Sequence, residues 1–186
     1  MTGALHKGRG KTIFSIGHST RTLTEFVTLL REDVTLLVDV RAIPRSRTTP
    51  QFNQDTLPAA LASMRIGYRH LPALGGRRHH RKDMPVSPNE YWRVQAFRNY
   101  ADYAATEEFR AGLNVLLELA RNDRCAIMCA EAVWWRCHRR IIADYLLVAG
   151  WNVQHIVSTG PPMKAILTPA ARVVADGTLR YPAQQS

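Results

Sequence analysis

Cys125-Ala126-Ile127-Met128-Cys129-Ala130-Glu131-Ala132-Val133-Trp134-Trp135-Arg136-Cys137-His138-Arg139-Arg140 reads as a strand, a polar loop and the start of a helix. Its first five residues are apolar without alternation, the pattern of a strand covered on both faces in a parallel sheet. A polar loop follows, then a helix expected from about Cys137 to Gly150. The same unit recurs on either side. Ile13–Ile16 and Thr35–Val40 read as earlier strands, Tyr68–Leu71 as a weaker one, and Val153–Val157 as the last. Between them, Thr22 and Glu25 have capping-box spacing ahead of Leu23, Phe26, Val27 and Leu30, which marks a helix. A second helix from about Asp55 carries Leu57, Leu61 and Met64, with Pro58 in its first turn and Gly67 past its end. Helices are expected over Glu90–Ala104 and Thr106–Asn122, the latter capped by Thr106 with Glu107 and Glu108 in the first turn. The tail offers a hairpin, Arg172–Val174 and Leu179–Tyr181 about the turn Asp176-Gly177. Strand and helix thus alternate. The expected architecture is α/β: a three-layer domain, a mainly parallel sheet with helices on both faces, and a small C-terminal hairpin. Residues 1–11 read as a disordered N-terminal tail and residues 12–186 as a single α/β domain.

The chain has 186 residues, room for one such domain, and its 46% hydrophobic content supports a packed core. Twenty-five Lys and Arg against 15 Asp and Glu give a net charge of +10, which favours anionic partners such as nucleic acid, nucleotides or other phosphate compounds. Three cysteines cannot all pair with one another, so a disulfide scaffold is disfavoured and a reducing, cytoplasmic setting expected. No apolar run approaches the roughly 20 residues of a membrane span. The opening MTGALHKGRG lacks the apolar core of a secretory signal.

In parallel sheets the ligand sits beyond the carboxyl ends of the strands, where this sequence gathers its polar residues. After Cys129 come Glu131, Arg136, Cys137, His138, Arg139 and Arg140. A helix start rich in cations invites a bound anion, or neutralisation by Glu131. Three chemistries share these residues. Cys129 or Cys137 can act as a nucleophile, since a helix N-terminus and arginines favour a thiolate. The phosphatase spacing is absent, because Trp135 and not Arg136 stands six residues after Cys129. Cys129, Glu131, Cys137 and His138 can bind zinc or iron, although adjacent Cys137 and His138 would point about 100° apart on a helix. Glu131 can serve as a general acid or base with His138 as partner, the cysteines being merely buried.

Three further groups stand out. His18 and Ser19 follow the first strand, and can gather an imidazole, a hydroxyl and backbone amides at one point, or can simply form a turn. Asp39 interrupts an apolar strand near its end and needs a partner, for which Arg41 is placed on the same face; Arg45 and Arg47 would reach phosphate. The segment 65–82 holds Arg65, Arg69, Arg77, Arg78, Arg81 and Lys82 and no acid, with Gly75-Gly76 for flexibility. Such a basic loop suits nucleic-acid backbone contacts, or is a solvated surface.

Together these pieces resemble the DUF488 family: Ser15-Ile16-Gly17-His18-Ser19, Leu37-Val38-Asp39-Val40-Arg41 with Pro44 and Ser46, Tyr68 with Leu74-Gly75-Gly76, Cys129-Ala130-Glu131 and Cys137-His138-Arg139. They span residues 13 to about 157, and the tail hairpin also fits. The resemblance implies a cytosolic α/β domain with a shared polar cleft. The expectation is that His18, Asp39, Arg41, Glu131, Cys137, His138 and Arg139 converge there on a phosphate-bearing ligand. In that site Glu131 and His138 transfer protons, and Arg41 and Arg139 hold the anion, with Cys129, Ser19 and Arg45 beside them. The alternative classes are a non-catalytic nucleic-acid module on Arg69, Arg77, Arg78, Arg81 and Lys82, and a metal or redox site on Cys129, Cys137 and His138.

Overall fold

In the computed structural model, which describes residues 10–30, 33–80, 83 and 86–183, the apolar runs are strands: β1 Thr12–Gly17, β2 Leu36–Asp39, β3 Gly67–His70, β4 Cys125–Cys129 and β5 Asn152–Ile156. A short β6, Met163–Lys164, adds an antiparallel edge, giving a sheet of order β3-β2-β4-β1-β5-β6. The other pairings are parallel. The helices are α1 Leu23–Leu30, α2 Leu57–Ala62, α3 Gln95–Ala104, α4 Glu107–Asn122 and α5 Arg139–Val148. The tail forms the expected hairpin of β7 Arg172–Val173 and β8 Leu179–Arg180. Residues 1–9 of the expected tail lie outside the described residues, while the Lys11 carbonyl accepts the Asn152 amide.

Two cores lie on the two faces of the sheet. Phe26, Leu29 and Leu30 of α1 pack with Leu57 and Leu61 of α2 against Ile16, Leu37 and Met128. On the other face, α3, α4 and α5 bury Tyr100, Phe109, Leu113 and Ile141 against Val38, Ile127 and Val153. The chain therefore leaves β2 toward one face and β4 toward the other. Adjacent strands whose connections diverge in this way leave a crevice between their carboxyl ends. Gly17, at the end of β1, lets the segment after β4 close over it, for a Cβ there would lie 1.8 Å from the Glu131 carbonyl oxygen.

The structure corrects several boundaries. The helix expected from Glu90 begins at Gln95, because the Tyr91 amide donates to the Tyr181 carbonyl and the Trp92 ring packs on Tyr181 and Phe97. α2 ends at Ala62, so Met64 is exposed instead of packed. Within the basic segment 65–82 the expected weak strand is edge strand β3, and the loop expected after it opens with a 3-10 turn at Pro72–Leu74. Gly75 packs on Ala42 with no room for a Cβ, so the glycine pair serves close packing, not flexibility. Cys137 lies outside α5 in extended conformation, φ −129° and ψ 147°, after a 3-10 turn at Trp134–Arg136.

Candidate functional site

A cleft of about 280 Å³ opens at the crevice between β2 and β4. Arg41 comes from the end of β2, and Cys129 and Glu131 from the end of β4. Arg136, Cys137 and His138 come from the turn before α5, and Gly76 and Arg77 from the segment after β3. The turn is held over the sheet by Trp134, which stacks on His155 of β5 with ring centroids 4.4 Å apart and planes 6° apart.

At the floor of the cleft, Nδ1 of His138 lies 3.9 Å from Sγ of Cys129 and 3.5 Å from Sγ of Cys137. Its Nε2 lies 3.1 Å from the Val40 carbonyl. A carbonyl only accepts, so Nε2 carries the proton and Nδ1 is turned to the sulfurs. Tyr100 meets the imidazole edge-on at 4.9 Å, and a Cβ on Gly76 would lie 2.3 Å from Nδ1. The ring is thus fixed on three sides. Its nitrogens meet Cys129, Cys137 and the Val40 carbonyl, and among the described residues no hydrogen bond joins the ring to the exposed Glu131 carboxylate.

Arg139 is 1% exposed, and among the described residues its guanidinium meets no carboxylate. Its Nε donates to Cys137 Sγ at 3.2 Å and Nη1 to the buried Ser15 hydroxyl at 3.2 Å, while Nη2 donates to the Glu131 carbonyl. It braces the loop instead of presenting itself to the cleft. Burial alone would raise the Cys137 thiol. The hydrogen bond from Cys129, the His138 ring and the Arg139 charge outweigh burial and hold Cys137 well below the usual thiol range. Cys129 is pushed the other way, by the same hydrogen bond, by burial and by the Cys137 charge. The two thiols are thus pushed in opposite directions, and the one pushed down is the one that faces the buried arginine.

Behind the cleft runs a second polar chain. Asp39 is wholly buried. It accepts from the Arg41 amide at 3.0 Å, from Arg41 Nη2 at 2.6 Å and from the Tyr68 hydroxyl at 2.7 Å. Arg41 Nη2 also donates to the Phe52 carbonyl at 2.6 Å, and Nη1 donates to His18 Nε2 at 3.2 Å. His18 Nδ1 donates to the Ser19 carbonyl at 2.8 Å, and the ring stacks on Phe52 at 4.4 Å. Burial, with the Arg41 charge added, lowers His18 to about 4, so the imidazole is neutral. Asp39 and Arg41 are thus the buried ion pair that their spacing allowed. Ser19 is half-buried in left-handed backbone, φ 51°, and its amide donates to the Ala130 carbonyl at 2.9 Å.

The remaining sequence candidates are dispersed. Glu131 is exposed at the rim. Arg45 is exposed beside Asp55, 3.4 Å away, outside the cleft. Arg69 is exposed on the edge strand and Arg77 at the cleft. Arg78 is committed: its guanidinium lies 3.5 Å over the Tyr103 ring and donates to the Gly75 and Pro72 carbonyls. Arg81 and Lys82 lie outside the described residues. Sequence reasoning missed Ser15 and Trp134 as supports. A serine inside an apolar strand was the available signal for the first; the second depends on His155, 21 residues away, and had none.

An α/β fold carrying a cysteine–histidine cleft at the carboxyl ends of its middle strands is the class these observations define. The family profile described as a domain of unknown function, DUF488, matches residues 22–146, and the chain belongs to that family. The match holds Asp39, Arg41, Tyr68 and Cys129 to Arg139, and stops short of Gly17–Ser19 and of the tail hairpin. No curated protein and no solved structure matches the chain. No described helix is long and apolar enough to cross a membrane.

Proposed function

We propose that the cleft is the ligand site of an enzyme acting on a small phosphate-bearing molecule, a nucleotide or a nucleic-acid end, in a reducing cytosol. The observation that carries this reading is the lining: Arg77 and Arg136 are exposed cations at the rim of the same cleft that holds Glu131, Cys129, Cys137 and His138. Guanidinium forks suit phosphate oxygens, and the net charge of +10 draws anions toward them. Arg41 and Arg139 shape the site from behind, each spending its hydrogen bonds on protein atoms. Glu131 is then the exposed group able to give or take a proton from a bound ligand. Calorimetric titration with inorganic phosphate, nucleoside mono- and diphosphates and short oligonucleotides tests it. Binding at low salt is expected, weakened about tenfold by Arg77→Ala or Arg136→Ala; no binding to any of these anions rejects the reading.

The exposure of Arg69 and Arg77, on neighbouring parts of the basic segment, favours a second reading, a non-catalytic nucleic-acid surface. It predicts oligonucleotide affinity that falls steeply with salt. Longer strands would bind better than mononucleotides, and Arg69→Ala would weaken them alone.

A further inference from the structure

We propose that Cys129, Cys137 and His138 are the three protein ligands of a zinc ion whose fourth position opens into the cleft. The two sulfurs and Nδ1 all lie within 4.8 Å of one another. Around a tetrahedral zinc, with Zn–S about 2.3 Å and Zn–N about 2.0 Å, sulfur and nitrogen stand about 3.6 Å apart. The structure has them 3.9 and 3.5 Å apart. Two edges of a tetrahedral face are thus already near their lengths, and the two sulfurs lie within 4.8 Å of each other.

Cys137 and His138 are neighbours in sequence but do not share a helix. Cys137 is extended and precedes α5, so its side chain and that of His138 are not separated by a helical turn angle. The surroundings are those of a ligand set. A ligating histidine usually donates its other ring N–H to a backbone carbonyl, and His138 Nε2 does so to Val40. Arg139 donates to Cys137 Sγ, steadying it as a ligand. Two thiolates and a neutral imidazole leave zinc with no net charge, which suits two nearly buried cysteines. All three residues line the cleft, so the remaining position faces a ligand or water. Three protein ligands with one open position is the arrangement of catalytic zinc, not of closed structural sites.

The metal follows from these three side chains alone; its role as a Lewis acid toward a phosphate or water oxygen rests on the ligand site proposed above. The full-length protein, purified under reducing conditions, is stripped with chelator and reloaded with Zn²⁺ or Co²⁺. One metal per chain is expected, with a thiolate-to-cobalt charge-transfer band of two-thiolate intensity and tetrahedral visible bands. X-ray absorption of the zinc form should show two sulfurs at about 2.3 Å and nitrogen or oxygen at about 2.0 Å. Cys129→Ser and Cys137→Ser should each weaken zinc at least a hundredfold, while Cys125→Ala leaves it unchanged. No stoichiometric metal, fewer than two sulfurs in the wild-type shell, or iron in place of zinc in protein from zinc-replete cells overturns the assignment. The spectra need no variant, so a misfolded mutant cannot obscure the answer. Titrating phosphate into both forms separates the two proposals: a protein that takes up zinc but binds no phosphate in either form sinks the ligand reading, and one that binds phosphate but takes up no stoichiometric zinc sinks this one.

Discussion

Asp39 is a carboxylate with no exposed surface whose main partner is a guanidinium almost as deeply buried. The pair is costly to break from one side, because the surviving charge stays buried and uncompensated. Asp39→Asn should therefore destabilise by about 3–5 kcal/mol, read as a shifted urea midpoint at constant m. Tyr68→Phe removes only one hydrogen bond to the charged group and should cost about 1.5–3 kcal/mol. An Asp39→Asn variant as stable as wild type would mean that the pair is not buried in solution. Gly76→Ala acts differently. Its Cβ would collide with the His138 ring and force it from its place between Tyr100 and the Val40 carbonyl. Cobalt affinity should fall at least tenfold, together with a lower melting temperature; unaltered cobalt binding would show that Nδ1 is not held where the cleft needs it.

Elements that rest on neighbouring residues were legible, and those fixed by distant partners were not. The Thr22 amide donates to Glu25 at 2.7 Å and the Glu25 amide to Thr22 at 3.2 Å, so α1 announces itself within four residues. Thr106 likewise accepts from the Phe109 amide at 3.3 Å at the start of α4. Thr106→Ala should cost about 1 kcal/mol, lowering the melting temperature by about 2–4 °C in a chain of this size; no shift in calorimetry would show the cap to be idle. By contrast, the stretch around Tyr91 looks helical, yet its amide is taken by Tyr181, 90 residues on. The site divides in the same way. Cys129, Cys137 and His138 stood out by residue type after a strand. That Cys137 leaves the helix depends on the Trp134–His155 stack and on the close approach at Gly17, both tertiary. Glu131 drew attention by its arginine neighbours, but Arg139 reaches its carbonyl and not its carboxylate.

Across the whole molecule, two buried histidines link stability to pH. Burial lowers His18 and His155 to about 4, helped by the charges of Arg41 and Arg139 respectively, from 6.5 in an open chain. Between these values the unfolded chain binds protons that the folded one refuses. Their contribution is thus complete above pH 6.5 and is lost as pH falls toward 4. His155→Phe keeps a ring for Trp134 to stack on and should remove up to about 1.4 kcal/mol per pH unit from that slope. Unfolding free energies measured from pH 7 to 4.5 check this, and an unchanged slope in the variant would exclude His155 as a source. The strand order carries a consequence of another kind. β1 has only β4 and β5 as neighbours, and its register partners Ala126 to Cys129 lie over a hundred residues downstream. On the ribosome, at roughly 5–20 residues per second, this apolar strand waits about 5–20 s before a partner has even been made. The nascent chain must carry an unpaired central strand through most of its synthesis, which makes it a natural client for a chaperone that shields extended apolar segments.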